Sequence, residues 1–195
     1  MQKRSLGPKT LMYPLPAFLV GTYGAEGKPN IMTVAWGGIC CAEPPLVNIA
    51  VRKQRWSYNA ILQRKAFTIS IPSAEMAAQV DFAGIASGEA TDKFAALSLT
   101  PTKAEFVDAP YVSECPVVLE LSLHSSTDLG SHVLFIGEIE DVKVNDDCLD
   151  EKGKPVLRMI DPLLYDGGAR EYFRAGGGMG KAFAGGKIFW KQMDE

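Results

Sequence analysis

The feature that most constrains this chain is a pair of long alternating segments, Val117–Ser125 and His132–Val144, joined through Asp128-Leu129-Gly130. Apolar and polar residues alternate in both, the pattern of half-buried β-strands. So short a connection leaves an antiparallel hairpin, because a parallel pair needs a long crossover. A second hairpin reads from Ala17–Tyr23 through the turn Gly24-Ala25-Glu26-Gly27 to a return strand Asn30–Ile39. Leu46–Val51, preceded by Pro44-Pro45, and Phe67–Ile71 add further strands. Helices are predicted over Arg55–Lys65, behind Ser73 as N-cap with an apolar stripe of Met76, Val80 and Ala83, and over Thr91–Leu97. The glycine-rich C-terminal part has no assignable period. Strands in hairpins with helices inserted between them predict a mainly β (α+β) fold, an antiparallel barrel and not a doubly wound sheet.

No repeat or linker divides the 195 residues, so the expectation is one domain over 1–195. Twenty Lys and Arg against 23 Asp and Glu leave a net charge of -3, and no basic block offers a nucleic-acid footprint. A single anionic ligand needs only a few local cations and stays open. Met1-Gln2-Lys3-Arg4 begins like a signal peptide, but Gly7, Pro8, Lys9, Pro14 and Pro16 interrupt the apolar residues beyond it. With no apolar run of membrane-spanning length, the expectation is a soluble, cytoplasmic protein. Cys40, Cys41, Cys115 and Cys148 have no metal-binding spacing, and His124 and His132 are the only histidines. The cysteines are therefore expected to be reduced and mostly buried, with no metal site.

Familiar motifs fail. In Gly176-Gly177-Gly178-Met179-Gly180-Lys181, Ala175 stands where a phosphate-binding loop needs its first Gly, and Ala182 where it needs Ser or Thr. Lys181 likewise takes the place of the third glycine of a dinucleotide fingerprint. Neither a GxSxG elbow nor an HExxH is present.

Three segments carry usable chemistry. Asn30-Ile31-Met32-Thr33-Val34-Ala35-Trp36-Gly37-Gly38 ends in small residues that let a flat aromatic ligand approach the backbone. The same residues also fit a strand that packs Trp36 in the core. Val51-Arg52-Lys53-Gln54-Arg55-Trp56-Ser57 delivers cations and a hydroxyl to the start of a helix, where unpaired N–H groups favour an anion. The plainer alternative makes Ser57 an N-cap and leaves the cations solvated. In Ser87-Gly88-Glu89-Ala90-Thr91-Asp92-Lys93-Phe94, Lys93 either reaches the same anion or is an exposed helix lysine beside an inward Phe94.

The ordered set NIMTVAWGG, CCAEPPLVNIAVRK, RWSYNAI, FTISIPS, SGEATDKF, HVLFIGEI and GKAFAGGK, from about Pro14 to Lys187, resembles the flavin reductase-like family, most closely its flavoredoxin branch. The resemblance implies an FMN-binding split barrel and a homodimer with FMN near the interface. It implies Thr33, Ala35 and Trp36 along the isoalloxazine and its O4/N5 edge, Asn30 and Met32 among the cofactor-binding residues, and Ser57 at the phosphate with Arg52, Lys53 or Lys93. Ser57 stands where relatives often have Thr. Ser87 is expected near the ribityl chain or phosphate, His132 at the flavin, and Tyr165 covering it. His132 also fits a purely structural role.

The activity implied is an NAD(P)H-dependent FMN reductase, with NAD(P)H as co-substrate. The alternatives are a flavoredoxin-like electron carrier that meets a redox partner protein, and a non-redox split barrel for another ligand such as haem or pyridoxal phosphate.

Overall fold

The computed structural model describes residues 1–187 and 189. Its strands and helices are β1 (Leu15–Pro16), β2 (Phe18–Tyr23), β3 (Pro29–Val34), β4 (Gly37–Cys41), β5 (Leu46–Val51), α1 (Trp56–Arg64), β6 (Ala66–Ile71), α2 (Ala77–Ile85), α3 (Lys93–Leu97), β7 (Pro101–Lys103), β8 (Pro110–Val112), β9 (Val117–Asp128), β10 (Val133–Val144), α4 (Leu157–Ile160), β11 (Leu163–Asp166) and β12 (Glu171–Arg174). Seven strands form one antiparallel sheet in the order β3-β2-β6-β9-β10-β5-β4. Its outermost members, β3 and β4, are consecutive in the chain and separated only by Ala35-Trp36. A flat sheet cannot satisfy that connection. The sheet curls until its edges meet, with β3 coming up to β5; Ala50 N donates to Trp36 O at 2.8 Å and so carries the β4–β5 ladder up to the corner.

The expected strand Asn30–Ile39 is therefore two strands on opposite edges, broken where the small Ala35 and then Trp36 turn the corner. The β9–β10 hairpin has the expected pairing, with bulges at Ile136/Gly137 and Ile139/Asp141 that increase its curvature. Gly137 is needed at the first: a Cβ there would lie 2.7 Å from the Phe67 ring.

Alternation along the strands fills two cores. Inside the barrel, Val20 meets Ile49, Phe67, Leu121 and Phe135. On the outer face of the same strands, Leu19 and Ile31 pack under α2 and α3 with Val80, Phe94 and Val112. Phe67 and Phe135 are fully buried, and truncating either to Ala would cost about 3–5 kcal/mol.

Three local expectations change. Ser73 occupies the N-cap position before the 3-10 turn Ala74–Met76, yet its side chain makes no capping bond, and its backbone bridges to Pro162. The third helix starts at Lys93 and not Thr91, because Asp92 caps it by accepting from Ala95 N at 3.1 Å. Among the cysteines, Cys115 and Cys148 are buried, but Cys40 is exposed and Cys41 half-buried on the edge strand β4. Among the described residues, no helix is long and apolar enough to cross a membrane.

A small sheet, β1-β11-β12, lies beside the barrel. Arg174 secures it through ion pairs with Glu75 and with Asp161 at 3.2 Å, and Tyr172 Oη donates to Asp81 at 3.3 Å. This sheet brings the β11–β12 hairpin against the barrel seam.

Candidate functional site

The site is built where β5 hands over to α1. Arg55 takes the N-cap position in an extended conformation without capping through its side chain, which instead donates to Gly84 O at 2.8 Å. Tyr58 N donates to Arg55 O at 3.0 Å, while the N–H groups of Trp56 and Ser57 at the helix start have no intrahelical acceptor. Ser57 is 1% exposed, and its Oγ accepts from Asn30 Nδ2 at 3.1 Å and Thr22 Oγ1 at 3.3 Å. Both contacts use the oxygen as acceptor, which leaves the hydroxyl proton to be donated. Ser57 is thus not the N-cap residue; it is the second residue of the helix, oriented by two strands.

Lys93 reaches the same place from α3. It is 2% exposed, and its Nζ donates to Ile31 O at 2.8 Å and Ala83 O at 2.7 Å. An ammonium carries three donors, so one N–H remains. Burial, reinforced by the charge of Arg55, pulls this amine down to about 8. The exposed helix lysine is therefore excluded. The loop between α2 and α3 closes the pocket: Gly88 lies so close to Asn30 that a Cβ would be 2.5 Å from Oδ1. Ser87, beside it, is exposed and accepts from Glu89 N at 3.3 Å through its Oγ. The pocket has a volume of about 200 Å³, and its described lining contains Arg52, Arg55 and Lys93 but no Asp or Glu.

A larger cleft of about 470 Å³ continues from this pocket along the barrel seam, sharing Met32, Arg52 and Arg55 with it. Thr33, Ala35, Trp36, His132, Tyr165 and Arg170 complete its walls. Trp36 is 40% exposed, so it is not a core residue. Its ring lies 4.8 Å from that of His132 between centroids, with planes 34° apart. The His132 imidazole is held below its ordinary range, first by partial burial and second by the positive charge of Arg52. Its Nδ1 faces Ser131 Oγ at 2.9 Å. Thr33 turns its hydroxyl away to Val80 O at 2.5 Å and offers the cleft the rest of the residue. Tyr165 leans on Tyr172, centroids 5.4 Å apart, and Arg170 stands in the left-handed region at φ +62° in the hairpin turn.

Of the residues singled out from sequence, the structure gathers Asn30, Met32, Arg52, Ser57, Ser87 and Lys93 around the pocket. It gathers Met32, Thr33, Ala35, Trp36, Arg52, His132 and Tyr165 around the cleft. Lys53 lines neither; its Nζ pairs with Asp128 at 2.5 Å on the outer surface. Arg55 lines both. Sequence reading missed Arg170 and the steric role of Gly88. A small residue in a polar loop is a weak signal for Gly88, and nothing local marks Arg170. The arrangement suits an anion at the helix start joined to a flat, partly aromatic group in the cleft.

Residues 10–174 match the family model of the flavin reductase like domain. The chain is 49% identical to the flavoredoxin of Desulfovibrio vulgaris (Miyazaki F), with a TM-score of 0.91 over 95% of this chain and 100% of that one. Flavoredoxin from Methanosarcina acetivorans is 28% identical, with a TM-score of 0.90 over 97% and 100%. An FMN-binding protein from Thermus thermophilus, solved with bound 1-cyclohex-2-enone, is 25% identical, with a TM-score of 0.78 over 93% and 99%. The split barrel, the matched domain and the flavoredoxin neighbours agree: this chain belongs to the flavin reductase-like family, in its flavoredoxin branch.

Proposed function

We propose that this protein binds FMN and serves as a flavoredoxin-type electron-transfer protein. The observation that carries the reading is the pocket of Arg52, Arg55, Ser57 and Lys93, with no Asp or Glu among its described lining residues, opening into the cleft of Trp36, His132 and Tyr165. A buried lysine without a carboxylate partner is unfavourable unless an anion balances it, and a phosphate at a helix N-terminus does so. The cleft volume suits a tricyclic ring, and Gly88 permits the tight wall that a small terminal phosphate requires. The residues therefore fit FMN.

In this reading Ser57, Lys93 and Arg52 hold the phosphate, with Arg55 at the junction and Ser87 at the rim. Asn30 orients the Ser57 hydroxyl, and Met32, Thr33, Ala35 and Trp36 form the floor under the ring. His132 and Tyr165 bound its open side. Bound FMN supplies reversible one- and two-electron chemistry at its isoalloxazine. The chain's part is to orient it, to limit water through Trp36 and Tyr165, and to place the positive charge of Arg52 and Arg170 beside it. The 49% identity to a flavoredoxin supports retention of the flavin and exchange of electrons with a partner protein.

A second reading, an NAD(P)H:FMN oxidoreductase, is favoured by one observation. Arg52 and Arg170 line the cleft from opposite elements, where they would meet the phosphates of a nicotinamide nucleotide. We also propose a homodimer. Leu11, Met12 and Tyr13 ahead of β1, together with Trp36 and Ile39 at the seam, are exposed apolar residues near the cleft, as an interface there would need.

The test is the visible spectrum of the purified protein, then titration of the flavin-free chain with FMN and riboflavin. Flavin bands and FMN binding at least tenfold tighter than riboflavin are expected; no affinity for FMN overturns the reading. Turnover of NADH or NADPH with free FMN would select the oxidoreductase, and light scattering reads the dimer.

A further inference from the structure

The pocket at the start of α1 collects three cations and, among its described lining residues, no carboxylate. We propose that this imbalance selects a terminal phosphomonoester in its dianionic form, with Lys93 as the specificity-determining residue that takes up one proton when the ligand is seated at alkaline pH. This rests on the FMN reading above and specifies its charge requirement.

The groups facing Lys93 come from every element around it. The β5–α1 connection contributes Arg52 and Arg55, α1 the Ser57 hydroxyl and its first-turn N–H groups, and β3 the Asn30 amide and Ile31 carbonyl. From α2 comes the Ala83 carbonyl. The acids of its own loop, Glu89 and Asp92, are exposed and outside the pocket lining, and Asp92 is engaged by Ala95 N. Among the described residues each neighbour is thus positive or neutral, and two carbonyl dipoles balance the Lys93 charge. The balance is poor enough that the amine loses its proton from about 8 upward, well below its ordinary 10.5. At pH 9 roughly nine-tenths of ligand-free pockets would hold Lys93 neutral, and at pH 7 roughly one-tenth.

A dianion within hydrogen-bond reach reverses this. It supplies the missing counter-charge, and the Nζ lone pair takes a proton from solvent; no other bond changes. A phosphomonoester has its second ionisation near pH 6, so above neutrality the proton is not the ligand's own. A phosphodiester unit, as in the pyrophosphate bridge of FAD, brings one charge per phosphorus and compensates less. Riboflavin brings none.

The experiment is calorimetric titration of the flavin-free full chain with FMN, FAD and riboflavin at pH 7 and pH 9. Each titration is run in two non-phosphate buffers of different ionisation enthalpy, so that the difference in heat counts protons. Uptake close to one proton per FMN is expected at pH 9 and roughly one-tenth at pH 7, with less for FAD and none for riboflavin. Lys93→Arg, charged throughout, is expected to bind FMN at pH 9 with no uptake. Tight FMN binding by the wild type without uptake at pH 9, or equal uptake by Lys93→Arg, overturns the proposal and leaves the FMN reading standing. Absence of FMN binding defeats the FMN reading instead.

Discussion

Asn30 and Ser57 are 27 residues apart, yet the Nδ2 of the first donates to the Oγ of the second at 3.1 Å, both inside the protein. The bond ties edge strand β3 to the first turn of α1. The orientation of the Ser57 hydroxyl in the pocket is therefore set by the barrel and not by the helix. It also puts a neutral amide where a carboxylate of nearly the same shape would bring negative charge into a cationic pocket.

Asn30→Asp is accordingly expected to lower FMN affinity about 10- to 100-fold, about 1.4–2.8 kcal/mol, while riboflavin affinity changes less than about twofold. Fluorescence titration of both flavins reads the difference. Equal loss for the two would mean that Asn30 acts on the ring and not on the phosphate.

Gly88→Ala places a methyl group 2.5 Å from Asn30 Oδ1, so the α2–α3 loop or the amide must move. Overpacking of this kind costs about 1–3 kcal/mol. The expected result is at least a fivefold loss of FMN affinity with the far-ultraviolet spectrum unchanged. Unaltered affinity would show that the loop is not a wall of the phosphate site.

Lys93 gives the ligand-free protein a pH dependence of definite sign. Its folded-state value of about 8 lies below its ordinary 10.5, so between those limits the unfolded chain binds more protons. Stability contributed by this residue therefore rises as pH rises from about 8 to about 10, on the order of 1–3 kcal/mol. Denaturant unfolding of wild type and Lys93→Met across that range should show the increment only in the wild type. Saturating FMN, by holding the proton on Lys93, should remove it. Parallel curves for the two proteins would contradict the burial of an uncompensated amine.

His132 should titrate below the ordinary imidazole range in an NMR titration of its ring protons. Arg52→Ala should move it upward, because removing a neighbouring positive charge favours the imidazolium. Part of the depression should persist, since burial is its larger cause. A downward movement would place Arg52 elsewhere than beside the ring.

Gly21→Ala tests the barrel itself. A Cβ would lie 1.9 Å from Pro110 O and 2.5 Å from Thr68 Oγ1, where Thr68 already donates to that carbonyl at 2.6 Å. Neither backbone nor buried hydroxyl can give way. A loss above about 3 kcal/mol in denaturant unfolding, or failure to fold, is expected.

Local periodicity determined a good deal by itself. The alternation of Val117–Ser125 and His132–Val144 specifies a hairpin whatever surrounds it, since a period of two buries one face only in a strand. The run Arg52–Ser57 likewise brings cations to a helix start, whose free N–H groups are intrinsic to any helix. Tertiary structure decided the rest, because it depends on which distant segments meet. Lys93 became a buried pocket residue only because Ile31, 62 residues earlier, presents its carbonyl there, while Lys53 was drawn outward by Asp128, 75 residues later. Ala35-Trp36 reads locally as mid-strand, but only closure of the sheet makes it the seam against which His132, Tyr165 and Arg170 complete the cleft. Charge and hydrophobicity are written residue by residue; burial, and with it the protonation of Lys93, arises from long-range packing.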